Sequence, residues 1–300
     1  MTDTIQQFSS LDQALHSLFG NNVKITDRKQ VAGGDINEAY RLTLSDGMHI
    51  FMKSNQGKSV SFFQREAEGL AAIAETGAIS TPQVFGCGTG ENGGAFLLLE
   101  FVESRRPGKD YQEILAQQLA RMHQSRTENF VTGGIYGFAQ DNYIGANPQV
   151  NTPCKSWTEF FRDCRLKPQF LQASDYFGKE EWKKITELLE RTGEILTEPE
   201  YPSLVHGDLW AGNVMTGRDG LAWLTDPAAC VGHREADLAM TELFGGFSGK
   251  FYEAYREAAP LQPGYEKRRD FYNLYHLLNH LNLFGRSYLS SVRRIVEEYV

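Results

Sequence analysis

No stretch of the sequence approaches the roughly 20 consecutive apolar residues that a membrane-spanning helix needs. The opening MTDTIQQFSS is polar and lacks the charged and apolar segments of a signal peptide. Cysteine is scarce: Cys87, Cys154, Cys164 and Cys230 lie far apart and form no CxxC pair. That argues against a disulfide framework or a zinc site and predicts reduced thiols in a cytoplasmic protein. A basic excess is also missing, since 30 Lys and Arg stand against 38 Asp and Glu, a net charge of −8. Nucleic acid is therefore not the expected partner, because phosphate backbones select a basic balance. No repeat, low-complexity tract, Walker A loop or complete GxGxxG is found either.

What the sequence does contain centres on residues 203–226, SLVHGDLWAGNVMTGRDGLAWLTD. Asp208 and Asn213 stand five apart on a predicted loop. Asp226 follows thirteen residues later, after the apolar run Leu221-Ala222-Trp223-Leu224. A carboxylate and an amide on a loop, then a hairpin ending in a second carboxylate, suit Mg·ATP phosphoryl transfer. Asp208 can accept the substrate hydroxyl proton, while Asn213 and Asp226 offer hard oxygen ligands to Mg²⁺. Asp, Gly and Asn are also common turn residues, so the rest of the chain has to supply the other half of such a site.

The first hundred residues supply it. A short helix is expected over residues 10–20, with Ser10 and Gln13 as a capping box and Gly20 as its stop. Tyr40, Leu42 and Leu44 alternate with polar residues, Asp46-Gly47 marks a hairpin, and Met48, Ile50 and Met52 alternate on the return strand. Lys53 then faces the other side of that strand. Gly33-Gly34 allows close backbone approach to phosphate oxygens. A helix over residues 60–76 places Glu66 beside its apolar stripe, where a carboxylate needs a cationic partner, and Lys53 is the natural one. Such a pair would hold the lysine against the phosphates of ATP. Residues 83–88 and 95–99 read as further strands, and the backbone of Glu100, Phe101 and Val102 is available to an adenine edge. A domain junction with a cleft is expected at Glu103–Lys109, giving units 1–102 and 103–300.

Beyond the junction the pattern is mainly helical. Stripes are expected at Tyr111 to His123, from Trp157, around Trp182 to Leu189, at Ala236 to Phe244 and at Arg269 to Gly285. His276 and His280 have a spacing that can bind metal, but without HExxH and among leucines they predict packing. His206 is expected to shape the loop around Asp208, and Asp237 to cap a helix or tie down that loop. Arg234 either pairs with a carboxylate or is solvated.

The set Gly33-Gly34-Asp35-Ile36-Asn37-Glu38, Lys53, Glu66, HGDLWAGN at 206–213 and Asp226-Pro227-Ala228 resembles the fructosamine kinase (ketosamine-3-kinase) family. Pro148-Gln149-Val150-Asn151 before Trp157 adds to the resemblance, which runs from about residue 20 to residue 285. It implies an α+β, bilobal protein-kinase-like fold, with a small N-terminal antiparallel sheet plus one helix and a larger, mainly α C-terminal lobe. It also implies ATP- and Mg²⁺-dependent phosphorylation of the 3-hydroxyl of a ketosamine, a phosphotransferase reaction with an alcohol acceptor that amounts to deglycation. By resemblance Asp208 is the base, Lys53 and Glu66 the phosphate-positioning pair, and Asn213 and Asp226 the Mg²⁺ ligands. Gly33, Gly34 and Glu100 to Val102 then take ATP, and Trp210 and Trp157 stand on the substrate side. The chain lacks the Arg between His and Asp and the DFG of protein kinases, so a phosphorylatable activation segment is not expected. An aminoglycoside- or choline-type acceptor, or nucleotide binding without catalysis, are the rival readings.

Overall fold

In a computed structural model of the chain, residues 5–31, 36–90 and 93–300 are described. The chain forms two compact units, Met1–Tyr111 with Met215–Asp226, and Gln112–Val214 with Pro227–Val300. This differs from a single break after Val102, because Met215–Asp226, with nearly all of the hairpin of Val214–Thr216 and Ala222–Leu224, returns to the first unit. Leu224 N–H donates to the Ser80 carbonyl (2.9 Å), and Arg105 N–H to that of Thr216 (3.3 Å). These bonds join segments more than a hundred residues apart, which no local sequence pattern reports.

The first unit is a six-stranded sheet built from β1 (Gln7–Phe8), β2 (Ile25–Gln30), β3 (Glu38–Leu44), β4 (His49–Asn55), β5 (Val84–Thr89) and β6 (Ala95–Glu100), in the order β1-β5-β6-β4-β3-β2. Every pair is antiparallel except β1 with β5. The alternation in the sequence decides the faces. Leu42, Leu44, Ile50 and Met52 pack with Phe96 and Leu98 against Ala14 and Leu15 of helix α1 (Leu11–Phe19). At the N-terminus of α1, Ser10 Oγ accepts from Gln13 N–H (3.1 Å) while the Gln13 side chain returns to Ser9, so the reciprocal bond lies one residue earlier than expected. Lys53 falls on the opposite face of β4, in register with Ala39 on one side and Leu97 on the other. Helix α2 (Val60–Glu75) lies across from it and buries Phe62, Phe63, Ala67, Leu70 and Ile73.

The second unit is mainly helical. Its helix Tyr265–Phe284 buries Phe271, Leu274, Leu278 and Leu281 completely, the stripe expected from the sequence. Packed against it are the helices Arg234–Leu243 and Leu289–Tyr299. The helix that starts at Trp157 passes through a π-helical turn, Phe161–Leu166, before continuing as Lys167–Gln172. Two short strands, Ser203–Val205 and Cys230–Gly232, pair antiparallel and deliver the loop that follows Val205. No helix among the described residues is long and apolar enough to cross a membrane.

Candidate active site

In the first unit the sheet and α2 bring Lys53 and Glu66 together. Lys53 is 7% exposed, and its Nζ donates to Glu66 Oε1 at 2.7 Å. The same ammonium pairs with Asp226 Oδ1 at the end of the returning hairpin. A buried ammonium is costly without anionic partners, and here two carboxylates share one. Asp226 is the one non-glycine residue with positive φ (56°) among the described residues. Such a backbone is held only where the surroundings impose it, and it turns the side chain toward Lys53. Strand pairing ends at Glu100, from which Phe101 and Val102 run on, Val102 being buried. Gly33 and Gly34 lie outside the described residues.

In the second unit the loop after Val205 is fixed through its backbone. His206 N–H and Gly207 N–H donate to Asp237 Oδ2 (2.7 Å) and Oδ1 (2.8 Å). Asp237, on the helix Arg234–Leu243, also meets His123 Nε2 (3.1 Å), whose Nδ1 meets the Tyr255 hydroxyl (2.7 Å). Burial opposes the charge on Asp237, yet His123, His206 and the Gly207 amide hold its carboxyl below the usual range. Gly207 has φ 80°, and a Cβ there would lie 2.1 Å from the Ala228 carbonyl oxygen. The HGD spacing therefore needs its glycine. His206 stays within the loop, its Nδ1 accepting from Asp208 N–H (3.3 Å).

Asn213 Nδ2 donates to the Asp208 carbonyl (2.9 Å) and to Asp208 Oδ2 (3.1 Å). The loop thus joins the two residues whose spacing suggested Mg·ATP chemistry. Asp208 keeps part of its surface, but withdrawal of its carboxyl from water raises its pKa to about 7; the Asn213 bond opposes the rise and the Asp237 charge adds to it. A carboxylate titrating there is well matched to general-base work near neutrality. Trp210 is 40% exposed and meets Phe244 edge-on. Gly212 makes room for it, since a Cβ there would lie 2.2 Å from the indole.

Trp157, expected on the substrate side, requires correction. It is 2% exposed, stacks among Tyr136, Phe160, Phe161 and Tyr272, and donates Nε1–H to the Tyr272 hydroxyl (3.2 Å). A ring with so little surface is a core residue and offers no wall to a ligand. Arg234 is buried and donates to the carbonyls of Ala259 (2.8 Å) and Pro260 (2.6 Å), with Glu200 farther off at 3.6 Å. Among the residues that hold Asp237, sequence reasoning missed His123 and Tyr255, whose helical positions carry no signal beyond amphipathic packing.

Over this geometry the sequence comparisons are unambiguous. The model of the fructosamine kinase family matches residues 7–300. The chain belongs to the fructosamine kinase family. The match is wider than the span from 20 to 285 that the motifs suggest. A chloroplastic protein-ribulosamine 3-kinase of Oryza sativa subsp. indica is 39% identical over 283 residues, 94% of this chain and 81% of that protein. A Haemophilus somnus crystal structure, described as a candidate fructosamine-3-kinase, superposes with a TM-score of 0.85 at 30% identity, covering 97% of each chain. Aminoglycoside phosphotransferase APH(4)-Ia, in ternary complex with AMP-PNP and hygromycin B, gives a TM-score of 0.66 at 14% identity over 96% of this chain and 98% of that one. That likeness shows the fold alone.

The histidines set a pH dependence of stability in this family member. Burial lowers the pKa of His233 and of His276 to about 3. Both are neutral in the folded chain and protonate at about 6.5 when unfolded, so each contribution is complete above that pH and is lost as pH falls toward 3. Asp208 acts oppositely, because its folded-state pKa is raised and the folded chain binds its proton first. His280, also lowered by burial, acts with the two histidines, so stability falls as pH drops from about 6.5 to 4. Urea unfolding across this range is expected to show that slope. Replacing His276 by Asn should flatten it, and an unchanged slope in that variant would contradict the assignment.

Proposed function

We propose that this protein is an ATP-dependent kinase that phosphorylates the 3-hydroxyl of ketosamines, the adducts of sugars with amines. The observation that carries the chemistry is the Lys53 ammonium held in the sheet between Glu66 and Asp226. Membership of the fructosamine kinase family carries the acceptor. Glu66 orients Lys53 for phosphate oxygens, and Asp208 accepts the proton of the attacking hydroxyl. The acceptor O–H bond breaks as its oxygen bonds to the γ-phosphorus, and ADP leaves with the bridging electrons. Glu100 to Val102 take the adenine edge, and Gly33-Gly34 are assigned to ATP from the sequence alone. Trp210 offers an aromatic wall to the acceptor.

The donor set fits Mg²⁺. Asp226 offers a carboxylate and Asn213 an amide oxygen, both hard donors of the kind that Mg²⁺ takes. Magnesium needs no more than one or two protein oxygens, the rest coming from water and phosphate. Bound Mg²⁺ supplies neutralisation of the charge on the phosphates. Phosphorylation at O3 makes the adduct prone to decompose, which amounts to deglycation. The four cysteines are free thiols, in keeping with a reducing cytoplasm.

The test is an acceptor panel with Mg·ATP: fructosyl-lysine, ribulosyl-lysine, an aminoglycoside and choline, each followed by ADP release and ³¹P NMR of the product. Turnover with the ketosamines and a phosphate at O3 is expected. Turnover with the aminoglycoside or choline alone would overturn the acceptor. ADP release with none of them would overturn the reaction.

A further inference from the structure

A buried polar assembly in the second unit runs beneath the chain that follows Asp226. Gln149, 2% exposed, donates from Nε2 to the Ala228 carbonyl (2.9 Å) and to Asn142 Oδ1 (2.8 Å). Its Oε1 accepts from the Tyr275 hydroxyl (2.6 Å). Asn142 in turn donates to the next carbonyl, that of Ala229 (2.9 Å), and its oxygen also accepts from Asn151 Nδ2 (2.8 Å). Arg165 closes the far end by donating to Asn151 Oδ1 (2.8 Å). Arg165 is delivered by the π-helical turn Phe161–Leu166, a distortion that tends to be kept where function needs it.

The directions in this assembly are forced. A backbone carbonyl only accepts, so Ala228 and Ala229 fix the amides of Gln149 and Asn142, and those fix Asn151. Turning one amide over would set oxygen against oxygen. The Ala228 carbonyl that receives Gln149 is also the atom against which Gly207 packs, one residue before Asp208. A single backbone oxygen therefore connects the amide network, the segment after Asp226 and the loop before Asp208. Packing alone would be served as well by apolar side chains, whereas a fully satisfied buried network holds one register.

We propose that Gln149 is a positioning residue for phosphoryl transfer: it fixes Pro227–Ala229, and with that segment the settings of Asp226 and of the Asp208 loop. This rests on the kinase reading above. Gln149→Met keeps the volume and removes both polar ends. It is expected to lower kcat by about tenfold or more, with KM for ATP within about twofold, because reacting groups are misplaced while nucleotide contacts remain. The Mg²⁺ concentration for half-maximal rate should rise, and the thermal shift given by Mg·ADP over ADP alone should shrink.

The control is Asn147→Leu in the same core. Asn147 is also buried, and its bonds go to Asn279 (2.8 Å) and Gln172 (2.8 Å). It should lower the melting temperature and leave kcat within about twofold. Tyr275→Phe removes only the hydroxyl on Gln149 and serves if Gln149→Met does not fold; its expected loss in kcat is about threefold. Wild-type kcat and an unchanged Mg·ADP shift in Gln149→Met, or in Tyr275→Phe in its place, would overturn the proposal. An equal loss of turnover in Asn147→Leu would also do so, since the effect would then be packing. If the wild type turns over a different acceptor, the comparison runs on that acceptor. If it turns over none, the kinase reading fails and the Mg·ADP shift still tests Gln149.

Discussion

Replacing Asp208 by Asn lowers kcat by about 10²–10⁴-fold and leaves ATP binding nearly unchanged, the range set by loss of a positioned general base. The substitution suits the question because of how the loop is held. Asn213 donates to Asp208 through Nδ2, and an asparagine at 208 retains an oxygen that can accept it. The backbone amides of His206 and Gly207 are tied to Asp237 and are untouched. The loop is thus expected to keep its shape while the proton acceptor disappears. Stopped turnover assays with the active acceptor, beside nucleotide binding by calorimetry, separate the two quantities. Turnover within a few-fold of wild type would remove Asp208 from the role of base.

Replacing Glu235 by Leu has the largest expected effect on stability, a loss of about 3–5 kcal/mol. Arg268 Nε and Nη2 form a bidentate pair with Glu235 at 2.8 and 2.6 Å, and both side chains are nearly inaccessible. Removing the carboxylate leaves a guanidinium buried with only the Gln262 and Pro263 carbonyls as partners. For a chain of this size the melting temperature should fall by roughly 10 °C. Glu180→Gln, which breaks the exposed pair with Lys183, should leave it nearly unchanged. Equal shifts in the two variants would mean that burial does not govern the Glu235 pair. Glu235 lies on the helix that carries Asp237, so the same variant should also loosen the loop before Asp208.

Much of this arrangement is legible in the residues, and the reasons differ from place to place. The β3–β4 hairpin follows from alternation and an Asp-Gly turn, and the Tyr265–Phe284 helix from its stripe, because both signals are local. Lys53 and Glu66 were legible as a pair because a carboxylate beside an apolar stripe demands a cation. Trp157 was misplaced because a tryptophan in a polar stretch reads alike whether it lines a wall or fills a core. The π-helical turn leaves no mark, since its apolar residues keep nearly α-helical spacing. The helices Gly249–Ala258 and Leu289–Tyr299 were passed over although both carry apolar stripes, Leu289, Val292, Ile295 and Val296 in the second. Gln149 and Asn151 stood out only within the motif of the resemblance and Asn142 not at all, and only tertiary structure shows that they are buried.

The return of residues 215–226 to the first unit has a consequence for synthesis on the ribosome. The strands β1 to β6 have all emerged once Glu100 clears the exit tunnel, and Lys53 can already pair with Glu66. The hairpin and Asp226 emerge more than a hundred residues later, after most of the second unit's first segment has been made. Until then the ammonium has one carboxylate where the finished protein gives it two. A nascent chain stalled near residue 200 would thus carry an assembled sheet in which Lys53 has one of its two carboxylate partners. The second carboxylate on Lys53 is fitted only once residue 226 has emerged.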